Sequence, residues 1–235
     1  MDEFLRCRLA EDHPGPCPQR LYERPSITIS RQAGARGLEV AAKLVDYLTQ
    51  FDETAEHGWA MFDQSLLAKV IENRQLPPCT REYLTPVVSP QPAHEIVQEF
   101  QRLPTDQWTL FHHSANAIRC LCRLGNVIIL GRGGNFLTQD LPNVLHVRLV
   151  GDPDQRSRVV AAESDLAEDK AGEYRESLDV ARAKYVKRHL NREIDDSAAY
   201  HLTINVSRLN PSTTSRIIGD SVIEWAGERI LPMSA

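Results

Sequence analysis

Ser26-Ile27-Thr28-Ile29-Ser30-Arg31-Gln32-Ala33-Gly34-Ala35-Arg36-Gly37-Leu38-Glu39-Val40-Ala41-Ala42-Lys43-Leu44 reads as a short buried strand, a glycine-containing turn and an amphipathic helix. A strand that turns tightly into a helix is where α/β proteins bind phosphates. The helix N-terminus presents unpaired N–H groups and the positive end of its dipole, and glycine lets the loop wrap an anion closely. The usual pattern is GxxxxGK[ST], and here no Lys-Ser or Lys-Thr pair follows Gly37. The stretch therefore marks a phosphate site without its customary lysine. Read structurally, the same residues make an ordinary strand–helix turn, with Gly34 and Gly37 placed for backbone conformation.

On either side of this stretch the pattern is α/β. Residues 1–25 carry Pro14, Pro16, Pro18 and Pro25 with little periodicity, which predicts an irregular extension. The helix is predicted from Gly37 to Phe51, with Val40, Leu44, Val45 and Leu48 on its apolar face. Asp63 suits the N-cap of a helix carrying Leu66, Leu67, Val70 and Ile71. Five prolines between Gln75 and Pro92 predict loop or lid material. Helical patterns follow at Ala93–Leu103 and Asp106–Leu124, the latter closed by Gly125. Asn126–Leu130 is a continuous apolar run of the kind found in a central parallel strand, and Val144–Val150 is a second strand. Asp152-Pro153 supplies an N-cap and first-turn proline for the next helix. A long basic helix is predicted over Lys170–Leu190, a strand over Tyr200–Val206, and a last helix from Asn210-Pro211 to Arg229. Such alternation predicts a parallel sheet with right-handed crossovers.

The chain has 235 residues, 42% of them hydrophobic, enough to bury a full core without disulfides or metals. Its formal net charge of −5 argues against a non-specific nucleic-acid binder. No stretch reaches the ~18 apolar residues of a membrane span, and the first residues hold no signal-peptide core. The cysteines Cys7, Cys17, Cys79, Cys120 and Cys122 match no paired metal-site spacing and are expected to be reduced, partly buried thiols. A cytoplasmic location is the resulting expectation.

Three elements at predicted strand ends could carry chemistry, since open α/β sheets bind ligands there. The first is the loop Arg31–Gly37. The second is Gly131-Arg132-Gly133-Gly134, whose glycines allow close backbone approach while Arg132 offers a planar fork for a phosphate. Its structural alternative is a glycine-rich turn with Arg132 paired to a surface carboxylate. A dinucleotide fingerprint fails, because Phe136 stands at the third glycine position. The third is the basic run Arg175, Arg182, Lys184, Lys187, Arg188 and Arg192, in which Lys184, Arg188 and Arg192 recur every four residues and Asp179 can pair with Arg182. This reads as a solvated face or, beside a phosphate loop, as mobile cations that stabilise a phosphoryl group in flight. The histidines His112, His113, His146 and His201 show no metal-ligand spacing and are expected in core or surface roles.

Taken together, the chain resembles the cytidylate kinase-like family of P-loop nucleoside monophosphate kinases. The likeness rests on Ile27–Gly34, Trp59 to Leu67, Val127–Leu137 with Leu141–Leu149, and Asp179–Tyr185, in the family's order. The resemblance implies a three-layer P-loop fold over residues 26–235, with about five parallel strands and helices on both faces. It also implies a helical insertion at about 52–105 and a lid at about 164–196. It further implies transfer of the ATP γ-phosphoryl group to a nucleoside monophosphate such as CMP, with Mg²⁺ bridging the donor phosphates. No residue of this chain is thereby named as a metal ligand, and homo-oligomerisation is left open. Carried over residue by residue, Ser30, Arg31, Gln32, Gly34, Ala35, Arg36 and Gly37 would cradle ATP. Asp63, Lys69, Arg132 and Asp179 would meet the monophosphate, and Arg132, Arg182 and Arg188 would act in catalysis. Relatives usually show Gly-Ser-Gly-Gly where this chain has Gly34-Ala35-Arg36-Gly37, and Arg36 would either replace the missing lysine or block the loop. Cytidylate kinases also carry an aspartate where this chain has Gly133. These departures motivate a second reading, a nucleotide-binding regulatory protein that has lost catalysis.

Overall fold

The structure, a computed structural model, describes residues 24–55, 58–63, 105–164 and 166–230. Lys69, the helices expected after Asp63 and at Ala93–Leu103, the proline-rich segment, most of the N-terminal extension, and Cys7, Cys17 and Cys79 lie outside these residues. Five strands form one sheet in the order β2–β3–β1–β4–β5, namely β1 (Ser26–Arg31), β2 (Ala60–Phe62), β3 (Val127–Leu130), β4 (Val144–Val150) and β5 (Leu202–Asn205). Every pairing is parallel, with Ile29 opposite Leu130 and Thr28 opposite His146. The helices are α1 (Gly37–Phe51), α2 (Thr105–Leu124), the short α3 (Gly134–Leu137), α4 (Pro153–Ser164), α5 (Glu168–Leu190) and α6 (Pro211–Ile230). The expected α/β P-loop-type architecture is present.

The three layers follow from side-chain alternation along the strands. Ile27, Ile29, Ile128, Leu130, Leu145, Val147 and Leu149 point to one face, where Val40, Ala41, Leu44 and Leu48 of α1 and Ile218 and Val222 of α6 cover them. Val127, Ile129 and Val144 point to the other, against Ile118, Leu121 and Cys122 of α2. Fully burying one such side chain contributes about 1.5–3 kcal/mol. In β4 the alternation leaves His146 and Arg148 on the second face, both buried. There Thr28 Oγ1 lies 2.8 Å from His146 Nδ1, and Arg148 donates to Ser30 Oγ at 2.9 Å. A polar strip thus runs up the middle of the sheet toward its carboxyl edge.

The helix ends are set locally. Asp152 Oδ1 accepts from the backbone N–H of Asp154 and Gln155, with Pro153 in the first turn of α4. Asn210 Oδ1 does the same for Thr213 ahead of Pro211. At the C-terminus of α2, Gly125 and Asn126 take φ of +81° and +54°. Asn126 therefore belongs to the turn into β3 rather than to the strand expected to begin with it. Tyr200 and His201 likewise precede β5, and Tyr200 is instead held by its hydroxyl to the Ile194 carbonyl at 2.8 Å. Cys120 and Cys122 are buried more deeply than expected.

Candidate functional site

The loop after β1 is tied down from three sides. Gln32 N–H donates to Leu149 O at 3.0 Å, and its side-chain oxygen accepts from Gly151 N–H at 3.0 Å. Gly34 has φ +71°, and a Cβ there would sit 2.2 Å from the Arg156 carbonyl, so no other residue fits. Asp179 of α5 reaches back to the loop, accepting from Ala33 N–H at 2.6 Å through one oxygen and from Arg156 Nη1 at 2.6 Å through the other. The same Arg156 nitrogen also donates to Ala33 O at 3.0 Å. These charge-assisted bonds make Asp179 and Arg156 a clamp joining α4, α5 and the loop.

Arg36, not Gly37, takes the left-handed conformation that ends the loop, with φ 49° and ψ 32°. Aligned on that turn, Gly37 stands at the lysine position of the phosphate-loop pattern and Leu38 at its Ser/Thr position. The Arg36 side chain is half exposed and lies 3.9 Å from Glu39, so it neither fills nor blocks the loop. The space over Gly37 belongs to Arg31: a Cβ at Gly37 would meet Arg31 Cγ at 2.9 Å, and one at Gly131 would meet Arg31 Nη1 at 2.0 Å.

Around that guanidinium the carboxyl edge of the sheet is crowded with arginines. Burial, then Arg182, with Arg132 a smaller contributor, lower the Arg31 pKa to about 10 against the opposing pull of Asp63. Arg182 donates to the Arg31 carbonyl at 3.3 Å and lies 3.7 Å from Asp179. Its pKa too is lowered, by burial first and then by Arg148 and Arg156, while Asp179 raises it. Arg148 pairs with Asp195 and Ser30 and rests over the Tyr200 ring at 5.6 Å. Arg132, at φ +57°, lies over the Tyr185 ring at 5.5 Å. Cations concentrated in a part-buried site raise the affinity for a phosphate-bearing ligand.

Two clefts flank this centre. One of about 620 Å³ opens between Gly34 and Arg36 of the loop, α4 at Arg156, and the turn Ser207–Asn210 after β5. The other, about 410 Å³, is lined by Phe111, Arg132, Lys184, Tyr185, Arg188 and His189, among others. Helix α5 spans from one to the other, with Asp179 at the loop and Arg188 in the second cleft. There Phe111 and His189 stack at 4.7 Å.

The structure thus brings Ser30, Arg31, Gln32, Gly34, Gly37, Arg132, Asp179 and Arg182 to one edge of the sheet, with Asp63 close enough to act on Arg31. Ala35 turns inward to the core. Arg192 falls past Asn191, the left-handed residue that ends α5, so the expected repeat of Lys184, Arg188 and Arg192 along one helix face stops at Arg188. Arg148 and Arg156 were not among the sequence candidates. The signal for Arg148 was a charge inside an apolar strand; Arg156, on an exposed-looking first turn, gave none.

The fold and the loop ringed by arginines define a kinase-like protein of the P-loop type. The chain belongs to the cytidylate kinase-like family, whose pattern matches residues 26–208. Among solved structures, an uncharacterized protein from Eubacterium ventriosum ATCC 27560 is similar at 19% identity and TM-score 0.63, covering 86% of this chain and 99% of that one. Shikimate kinase from Bacteroides thetaiotaomicron is similar at 11% identity and TM-score 0.46, covering 84% of this chain and 98% of that one. At 19% identity, the likeness to the Eubacterium ventriosum protein speaks to the fold alone. No curated protein matches the chain.

Proposed function

We propose that the protein transfers the γ-phosphoryl group of ATP to a small phosphorylated acceptor of the nucleoside monophosphate kind, CMP-like by family. The observation that carries this reading is the placement of the loop Arg31–Gly37 between two clefts, with the arginines of α5 and the sheet edge at their junction. The larger cleft would take the donor nucleotide, and the Arg132–Arg188 cleft the acceptor. In the transfer, an acceptor phosphate oxygen forms a bond to the γ-phosphorus as the bond to the leaving ADP oxygen breaks. The reaction asks for alignment and charge neutralisation rather than covalent help from the protein. Arg132 would hold the acceptor phosphate, Arg182 would face the group in flight, and Asp179 would seat α5 against the loop.

Among the described residues no group of three or more His, Cys, Asp or Glu side chains converges as a cation site. Leu38 stands where a hydroxyl would be, and both Asp179 oxygens are engaged. These residues do not fit a cation held by the protein itself; Mg²⁺ would arrive with the nucleotide, and no step is assigned to it.

The test is product formation with MgATP and a panel of nucleoside monophosphates. A diphosphate product whose formation falls at least tenfold in Arg132→Ala, mostly through acceptor KM, supports the assignment. Saturable MgATP binding without product for any acceptor favours the second reading, a nucleotide-binding regulatory protein, which the absent lysine and Gly133 motivate.

A further inference from the structure

A phosphate loop without its lysine needs a cation from elsewhere, and the position it would occupy is already crossed. Gly37 opens α1, yet a Cβ there would lie 2.9 Å from Arg31 Cγ and 3.4 Å from Arg31 Cβ and Cδ. The aliphatic stem of Arg31 thus runs across the site from which a lysine side chain would start. Its guanidinium ends against Gly131, where a Cβ would lie 2.0 Å from Nη1 and 3.2 Å from Cζ. Two glycines, one on each side, leave room for this path, and a Cβ at either place would force Arg31 to shift. The head group is delivered beside Arg132 and Asp63, between the donor loop and the acceptor cleft.

We infer that Arg31 is the phosphate-loop cation of this protein: an arginine at the start of the loop, threaded between Gly37 and Gly131, that contacts the donor phosphate which a lysine at position 37 would otherwise hold. The inference rests on the reading of the site as a nucleotide site. The arrangement is sound chemically. A lysine reaches forward from the helix as a single flexible ammonium, whereas Arg31 reaches back over the helix start with a planar fork whose stem is fixed by packing. The surroundings agree, because repulsion from Arg182 and Arg132 exceeds what Asp63 alone offsets and a bound anion relieves it. Gly37 is then a partner of the arginine rather than a turn residue, while Gly131, at φ +87°, serves both purposes: position 37 is glycine because Arg31 passes over it.

That coupling is directly testable with MgATP as the probe and the full chain as the protein. Arg31→Gly is expected to weaken MgATP binding about 10- to 100-fold, as for loss of a charge-assisted bond. Gly37→Lys in the native background is expected to weaken it as well, since the new side chain meets Arg31. The double variant Arg31→Gly/Gly37→Lys restores the common phosphate-loop arrangement and is expected to recover affinity to within a few-fold of wild type. Gly37→Ala gives a milder check: it lowers MgATP affinity when Arg31 is present and has no effect in an Arg31→Ala background, a double-mutant coupling. Melting temperatures without ligand show that each variant is folded. If Arg31→Gly is too unstable to assay, the Gly37→Ala result decides, and an unchanged affinity there overturns the inference. Wild-type binding of MgATP with equal binding by Arg31→Gly overturns the role of Arg31 and leaves the nucleotide site standing. Loss in Arg31→Gly without recovery in a folded double variant reduces Arg31 to a structural part and also overturns it. Absence of MgATP binding by the wild type overturns both this inference and the functional reading beneath it.

Discussion

The two ends of the central sheet are both polar, yet they are built oppositely. At the amino end the strands are held by neutral groups. Ser26 Oγ donates to Cys122 O at 2.9 Å, and Asn143 Nδ2 donates to Arg24 O at 2.8 Å and Cys122 O at 2.9 Å. The Ser26 N–H meets Asn143 O at 2.8 Å. At the carboxyl end stand Arg31, Arg132, Arg148, Arg156 and Arg182, with Asp63, Asp179 and Asp195 as the carboxylates acting on them. A neutral hydrogen-bonded end completes the fold. At the cationic end burial first, and then neighbouring arginines, lower the pKa of Arg31 and Arg182, and in the proposed function an anion completes that end.

The contrast can be broken by substitution. Arg182→Ala should lower kcat for phosphoryl transfer by about 10²–10³-fold, with little change in melting temperature; a kcat within threefold of wild type would erase the functional meaning of the cationic end. Between the two ends, burial and then His201 push the His146 pKa down to about 4. The unfolded chain takes up that proton near pH 6.5 and the folded one only near pH 4. Stability should therefore be full above pH 6.5 and decline as pH falls between these values, by up to about 3 kcal/mol. Melting curves for wild type and His146→Gln should diverge at pH 7 and approach each other toward pH 4.5. At the neutral end, Asn143→Ala should cost about 1–3 kcal/mol of stability and leave acceptor and ATP KM values where they were; a kinetic effect larger than its thermal effect would blur the distinction between the ends. The smallest change is expected from Arg36→Gly. Relief of its left-handed backbone should stabilise the loop by about 1 kcal/mol or less, and any loss of MgATP affinity should be well below that of Arg31→Gly.

Much of this was legible in the sequence. The continuous apolar run Val127–Leu130, the strand–turn–helix at Ser26–Phe51 and the caps at Asp152 and Asn210 state local rules that tertiary structure had no reason to override. Glycine and arginine clusters at strand ends are visible in one dimension, and the structure brings Arg31, Gly34, Gly37, Arg132 and Arg182 to one edge of the sheet. What escaped depended on direction. Nothing in the order Arg31…Gly37 says that the arginine doubles back over the glycine, and the sequence drew attention to Arg36, the nearer arginine, instead. Arg148 was hidden in a strand because alternation tells that two side chains share a face but not that the face leads to an edge lined by other arginines. Arg156 needed the position of Ala33, more than a hundred residues away.

The bond from Asp179 to the Ala33 amide has one further consequence. The amide and the carboxylate belong to elements more than a hundred residues apart in the chain, so loop and helix are held in one arrangement. Parting them would strand a charge-assisted bond at a cost of about 1.5–3 kcal/mol. Whatever orders the loop therefore orders α5 as well, and each steadies the other by the same factor.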